Sequence, residues 1–310
     1  MNWIFLVVIA QLINAVVALL DKHIVSNDKL LPNPFVYAFY TCLLSGAWVL
    51  IYLLHFLPLP FDGFGIPSFS NISVPTLEVV ALSFLSAYTF FTALTSMFTA
   101  LREYDASDVV PVIGSVSAIA SYALGWFFLD SQLSQNFLWG VVILAFGTIL
   151  VSRLRFSLST AVMAVYSGVF FAFHYVTLKG LFSVTSFDDG FFWSRIAFVF
   201  FALTLLMIPS YFERVRTQSG GVKGKGGILI LVNKVLAGIA TLLILHATNL
   251  GDVAVVQALG GIQYVFIILF GIAVTVWMNG RAIEKYHPDH IFQKAIFVAI
   301  IVIGFLVLFR

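Results

Sequence analysis

Ten apolar stretches, each about long enough to cross a bilayer as a helix, occupy nearly all of the 310-residue chain. An unpaired backbone amide or carbonyl costs several kcal/mol in hydrocarbon, so a segment inside a membrane must be a helix or part of a closed barrel. The stretches are continuous and not alternating, which favours helices. Apolar residues make up 61% of the chain and charged residues 10%, far outside the usual range of soluble domains. The sequence therefore predicts an all-α polytopic membrane protein.

The stretches define ten predicted spans that are separated by short polar joins. We expect the first span to be a retained helix and not a signal peptide, because Asp21-Lys22-His23 stands where a small-residue cleavage site would be. The predicted spans are Trp3–Leu20, Phe35–Leu57, Thr76–Leu101, Ser107–Leu129, Asn136–Ser152, Thr160–Leu178, Phe191–Ser210, Gly227–His246, Val253–Trp277 and Ile291–Phe309.

The cations fall almost entirely in alternate joins, as the positive-inside rule requires of a chain with one orientation. With ten spans, this pattern predicts a multi-pass protein of the plasma membrane with both termini outside the cytoplasm. The net charge of +2 is too small to suggest a nucleic-acid partner. The odd-numbered joins hold Lys22, Lys29, Arg102, Arg153, Arg155, Arg214, Arg216, Lys223, Lys225, Arg281, Lys285 and, at the edge, Lys294, and the opposite side holds Lys179 and Arg310.

The second half of the chain repeats features of the first. Residues 100–110 and 244–254 each combine a span end, a tight polar turn, an Asp and the start of the next span. Lys22 follows span one as Lys179 follows span six, and Tyr40 of span two matches Arg195 of span seven. Because each half has an odd number of spans, the second half enters the membrane from the opposite side. We therefore predict two inverted five-helix repeats, residues 1–155 and 156–310.

Several short motifs resemble those of the EamA-like members of the drug/metabolite transporter (DMT) superfamily. The motifs are Tyr104–Ile113, Leu124–Asp130, Leu133-Ser134 and the glycine-bearing fifth span at 138–147. The resemblance, together with the span count and the duplication, implies a ten-helix transporter. The chain departs from the family in two respects. Its charge pattern places the termini outside the cytoplasm, and Asp130 stands where the family usually has Glu after span four.

Lys234 is the strongest candidate for a substrate-binding residue. It lies about seven residues into span eight, roughly 10 Å along the axis, where a charge is costly to insert. With the neighbouring Asn233, it could attract an anionic or zwitterionic solute, or it could be a structural lysine that pairs with a buried acid. Arg195 could bind a carboxylate or phosphate with two hydrogen bonds, or it could pair with Asp188 or Asp189.

Other polar residues of the spans could complete such a site. His174, near the middle of span six, could carry a proton as a coupling ion, or it could be a core histidine with one hydrogen-bond partner. Two stripes at helical spacing could contact a solute or serve helix packing. They comprise Tyr88, Thr92 and Ser96 on span three, and Gln257, Gly261 and Tyr264 on span nine.

The sequence contains no metal-ligand spacing, nucleotide-binding loop or nucleophile arrangement, so we expect no metal, no cofactor and no enzymatic activity. The prediction that follows is a secondary active transporter of a small organic metabolite, an exporter or exchanger that works by alternating access. Its cavity would be lined by spans one, three, four, six, eight and nine. The alternatives are a non-transporting receptor or assembly subunit, and a membrane-embedded enzyme.

Overall fold

A computed structural model of the protein describes residues 3–31, 33–56, 67–131, 156–219 and 224–277, with isolated residues in 137–143 and 296–307. These residues form helices and no strand. The helices are α1 (Trp3–Val25), α2 (Pro34–Gly46, continued by a 3-10 helix, Ala47–Phe56), α3 (Leu77–Glu103), α4 (Ala106–Phe128), α5 (Leu158–Val184), α6 (Phe187–Leu206), α7 (Pro209–Ser219), α8 (Lys225–Leu250), α9 (Val253–Leu259) and α10 (Ile262–Trp277), with a short 3-10 turn at Phe69–Asn71.

Eight helical segments in the described part of the chain are long and apolar enough to cross a membrane. They confirm predicted spans one to four and six to nine, and with them a polytopic helical membrane protein. Predicted spans five and ten, apart from isolated residues, lie outside the described residues.

Five of the ten α-helices described begin at a residue whose side chain accepts a hydrogen bond from a free backbone N–H of the first turn. This N-cap satisfies one of the donors that a helix start leaves unpaired, which matters more in a membrane than in water. The capping residues are Asn33 for α2, Thr76 for α3, Ser157 for α5, Ser186 for α6 and Asp252 for α9.

Helix α1 runs to Val25, beyond the predicted end at Leu20. Asp21 and Lys22 therefore lie inside the helix and are buried. The placement of Lys22 among the loop cations was wrong, because the helix continues for as long as its backbone hydrogen bonds and polar side chains find partners. Lys22 Nζ donates to the carbonyl of Leu101 at 2.8 Å.

Predicted span nine is not one helix. Helix α9 ends at Leu259 and α10 begins at Ile262, with Gly260 and Gly261 between them. At the break, Gly260 N–H bonds the Gln257 carbonyl and Gly261 N–H bonds the Ala258 carbonyl, each at 3.0 Å. These tight three-residue turns interrupt the α-helical ladder. Helix α7 was also not predicted, because it is polar and its backbone runs outside any apolar stretch.

Contacts between helix ends distinguish the two ends of the bundle. At one end, Lys22 of α1 reaches Leu101 of α3, and the Thr160 hydroxyl in the first turn of α5 donates to the Glu103 carboxylate. We call this the Arg102 end. The C-terminal ends of α1 and α3 and the N-terminal end of α5 meet there.

The opposite end gathers the remaining turns, and we call it the Asp188 end. The Tyr52 hydroxyl donates to the Asp188 carbonyl, and Asn71 Nδ2 donates to the Asp188 carboxylate at 2.9 Å. Ser131, just after α4, donates to the carboxylate of Asp252 at the start of α9. Helices α5 and α8 therefore end where α6 and α9 begin, on the side away from Lys22.

Candidate functional site

A buried ion pair joins the first and second halves of the chain. Lys234 Nζ of α8 lies 2.8 Å from Asp21 Oδ1 of α1, and the two side chains are only 4% and 5% exposed. At such burial neither charge is stable alone, because desolvation of an unpaired ion costs several kcal/mol. The close packing of α1 against α8 brings the two residues together.

Two further donors share the same carboxylate oxygen. Asn233 Nδ2 donates to Asp21 Oδ1 at 2.6 Å, and the Tyr37 hydroxyl of α2 donates to it as well. The Lys234 ammonium also lies over the aromatic rings of Tyr37 and Phe98, at 4.2 and 5.3 Å from their centroids. Hydrogen bonds and cation–π contacts thus compensate both charges in a low-dielectric site. Asn233 Oδ1 remains a buried acceptor with no partner among the described residues.

The ion pair forms part of the wall of a cavity of about 180 Å³ in the bundle. The residues that line it come from α1, α2, α3, α4, α5, α8 and the broken α9–α10 segment. The contribution of α2 was not predicted, because only spans one, three, four, six, eight and nine were expected to line the cavity. Neutral polar groups dominate the remaining polar surface, and aromatic rings supply much of the apolar surface. The polar groups are Gln11, Asn14, Thr41, Ser45, Ser117, Thr241, Gln257 and Gln263, and the rings include Phe90, Phe171, Tyr175 and Tyr264.

The cavity's amide groups tie the broken helix to its neighbours. Ser117 Oγ of α4 donates to Gln257 Oε1 at 3.3 Å, and Gln263 Nε2 donates to the Asn14 carbonyl of α1 at 3.0 Å. Gly260, at the break, lines the cavity as well. Interrupted helices at membrane depth are tolerated where they face protein or a water-filled cavity, and in transporters they often mark the binding site.

Of the predicted site residues, Lys234, Gln257 and Tyr264 line this cavity, and Asn233 joins the hydrogen-bond network beside it. The position of Tyr264 depends on a glycine, because a Cβ at Gly114 would collide with the Tyr264 hydroxyl. Helices α4 and α10 therefore approach each other closely at this point.

Three other predicted residues do not line the cavity. Tyr88 is exposed on the outer surface of α3, and the Thr92 hydroxyl donates to the Tyr88 carbonyl at 2.9 Å. His174 is buried in the core. Its Nδ1 lies 2.9 Å from the Ser86 carbonyl, and its ring packs 4.8 Å from that of Phe90.

Arg195 is buried away from the cavity lining, with its guanidinium 5.0 Å from the ring of Phe191 and 4.4 Å from that of Phe198. The sequence offered Asp188 or Asp189 as its partner. In the structure both carboxylates bind other groups: Asp188 accepts from Asn71, and Asp189 accepts from the group formed by Ser73, Thr185 and Trp193.

Asp21 is the charged residue of the candidate site that sequence reasoning missed. It directly follows an apolar run, and hydropathy alone assigns such a residue to a loop. The available signal was the buried lysine: because a cation at that depth needs an anion, Lys234 required an acid at a matching depth on another helix. Asp21 at the end of span one was such a candidate.

Comparison with known proteins supports the fold and leaves the function open. No protein-family model matches the sequence, and neither does any curated protein. One solved crystal structure of a protein is similar over 96% of both chains, with a TM-score of 0.58 and 18% sequence identity. At that identity the similarity shows a shared fold only.

Proposed function

We propose that the protein is a secondary active transporter of a small organic solute, working as an exporter or exchanger, and that the Asp21–Lys234 cavity is its substrate site. The observation that carries this proposal is a cavity within a membrane-spanning bundle whose wall holds two buried, opposite charges. Ionisable residues that face a cavity at membrane depth mark substrate and ion pathways in such proteins.

The charges favour a solute that carries both a cation and an anion. A zwitterion can place its anionic group at Lys234 and its cationic group at Asp21, and the site stays neutral when the internal pair opens. An anionic solute would leave Asp21 unpaired unless that carboxylate takes up a proton. Transport of an anion would then be coupled to a proton, whereas transport of a zwitterion would not require one.

Alternating access by two inverted repeats is supported by a contact that occurs twice. Lys22, at the end of α1, donates to the last turn of α3 at the Arg102 end. Lys179, near the end of α5, donates to the carbonyls that close α8 at the Asp188 end, those of Thr248, Asn249 and Gly251, at 2.8 to 3.0 Å. The same contact at equivalent sequence positions and opposite ends is what two inverted repeats would produce.

The break between α9 and α10 offers a place where the site could change shape. A helix interrupted at Gly260–Gly261 can move one half while the other stays packed, and both halves contribute to the cavity. The resemblance of the motifs near Tyr104–Ile113 to EamA-like transporters of the DMT superfamily agrees with this mechanism. We propose that the protein is a member of that family.

The orientation proposed is cytoplasmic for the Arg102 end, in the plasma membrane. Lys29, Arg214 and Arg216 extend from that end, whereas Glu78 and Asp188 lie at the other. The positive-inside rule places the cation-rich end in the cytoplasm.

Purified protein tests the function directly. A screen of zwitterionic, anionic and neutral metabolites for thermal stabilisation would identify a solute, and uptake of that solute into proteoliposomes would measure transport. We expect Lys234→Met and Asp21→Asn to abolish uptake, and Lys29→Met, which removes an exposed cation, to leave it unchanged.

Three results would contradict the proposal. Normal uptake by folded Lys234→Met would remove the ion pair from the mechanism. Binding of the solute without any uptake would favour a receptor or assembly subunit. Chemical conversion of the solute would favour a membrane-embedded enzyme.

A further inference from the structure

Arg195 is a second buried cation, and two of its nitrogens lack a hydrogen-bond partner. The side chain is 2% exposed, and neither Nε nor Nη2 has a hydrogen-bond partner in the part of the chain that the structure describes. These two N–H groups lie side by side on one edge of the guanidinium. That edge matches the spacing of two carboxylate oxygens.

We propose that Arg195 forms a buried carboxylate-binding site, separate from the Asp21–Lys234 cavity, that takes a small planar oxyanion of the size of formate or acetate. The proposal does not depend on transport. It assigns a ligand to a charged group that the proposed mechanism leaves unused.

The aromatic rings around Arg195 restrict the shape of such a ligand. Phe191 and Phe198 lie within 5.0 Å of the guanidinium carbon, so approach along the Nε–Nη2 edge is favoured over approach onto a face. Both nitrogens are fully buried, so a ligand has to displace the side chains that pack on that edge. A planar carboxylate fits in the plane of the guanidinium and bonds both N–H groups at once. Tetrahedral phosphate or sulfate would place oxygens out of that plane, against the rings.

The described part of the chain supplies no acid to Arg195. Asp188 and Asp189, at the start of the same helix, accept hydrogen bonds from other groups. The acids outside the described residues are Asp62, Glu284 and Asp289, all in joins between predicted spans. Arg195 lies eight residues from the start of α6, roughly 12 Å along the axis. A guanidinium at that depth is costly without an anion, and the two rings offset only part of that cost.

One side chain links the central cavity to the surroundings of Arg195. Tyr175 lines that cavity, and it is one of the groups near enough to Arg195 to interact with it electrostatically. Cys42, Tyr52 and His174 are further such neighbours, and none of them carries a carboxylate that could pair with Arg195.

Formate titration of the purified protein tests the proposal. The thermal midpoint is measured as sodium formate replaces sodium gluconate at constant ionic strength, since gluconate is too large for a fully buried site. We expect a stabilisation of wild type that saturates with formate and is lost in Arg195→Gln. Lys234→Met, which alters the central cavity instead, should keep it. A second substitution, Arg195→Lys, keeps the charge without the paired N–H edge and should raise the half-saturating concentration by about tenfold or more.

Each contrary outcome rejects the proposal. An equal formate effect in wild type and in the Arg195 variants would place the anion elsewhere. No effect in wild type would exclude an external ligand, and its appearance in Asp62→Asn would identify Asp62 as an internal partner. If Arg195→Gln does not fold, an unchanged formate response in Arg195→Lys overturns the proposal by itself. Loss of solute uptake in Lys234→Met leaves all of these results unaffected, so the two proposals fail independently.

Discussion

Breaking the Asp21–Lys234 pair tests how strongly the two halves of the chain are coupled. At 2.8 Å and an effective dielectric constant of about 20, the two charges attract each other by about 6 kcal/mol. Much of this attraction only offsets the desolvation of both ions. Removing one partner of a buried pair typically costs about 3–5 kcal/mol, whereas replacing both by apolar groups is often nearly neutral.

The structure predicts which single variant loses more free energy of unfolding. In Lys234→Met, the Asp21 carboxylate keeps its bonds from Tyr37 and Asn233, so we expect a cost near 3 kcal/mol. In Asp21→Leu, the ammonium keeps only the rings of Tyr37 and Phe98, so we expect a cost nearer 5 kcal/mol. The double variant should recover most of the loss, because Tyr37 and Asn233 still bond each other at 3.0 Å.

The free energy of unfolding, followed by tryptophan fluorescence during titration from mild detergent into SDS, measures all four proteins of this cycle. The two single costs sum to about 8 kcal/mol, so a double variant that costs no more than about 3 kcal/mol corresponds to a coupling energy of about 5 kcal/mol or more between the two sites. If the two single costs add in the double variant to within about 0.5 kcal/mol, the sites are independent and the reasoning from the buried pair is wrong.

Two further predictions concern the ends of the bundle. Lys179→Met removes three bonds to the closing carbonyls of α8 and should lower the free energy of unfolding by about 1.5–3 kcal/mol, whereas Lys29→Met should change it by less than about 0.5 kcal/mol in the same SDS titration. Equal effects would show that the carbonyl contacts contribute nothing. Glu78→Cys should react with a membrane-impermeant maleimide in intact cells and Lys29→Cys only after permeabilisation, with the buried native Cys42 silent in both; the reverse pattern would invert the proposed orientation.

Hydropathy was sufficient to place eight spans, because the cost of unpaired backbone in hydrocarbon makes every long apolar run a helix. It could not place helix ends. Helix α1 continues through Asp21 and Lys22 because both find partners on other helices, and no property of the local sequence reveals those partners. Span nine breaks at Gly260–Gly261, and hydropathy does not reveal this break because the residues on both sides are apolar.

Part of the candidate site was also predictable from hydropathy. Lys234 stood out because a charge inside an apolar run is rare, and Gln257 and Tyr264 stood out because they recur at helical spacing in predicted span nine. Its partner did not stand out, since Asp21 lies at the edge of a run where acids are common. The exposure of Tyr88 could not be inferred from spacing, because a polar stripe on a helix can face the bundle interior or its outer surface with equal ease.

The Asp21–Lys234 pair also has a consequence for how the chain is made. The two residues are 213 positions apart, so at about 5–20 residues per second a ribosome delivers Lys234 roughly 10–40 s after Asp21. During that delay the carboxylate lacks its counter-ion, and the aqueous headgroup layer is the favourable place for it. We therefore expect the C-terminal part of α1 to remain in the headgroup layer while the rest of the polypeptide is inserted. It enters the hydrocarbon only when the Lys234 ammonium reaches Asp21. Late docking of the eighth predicted span, and not early insertion of the first, is the step that commits Asp21 to the interior of the membrane.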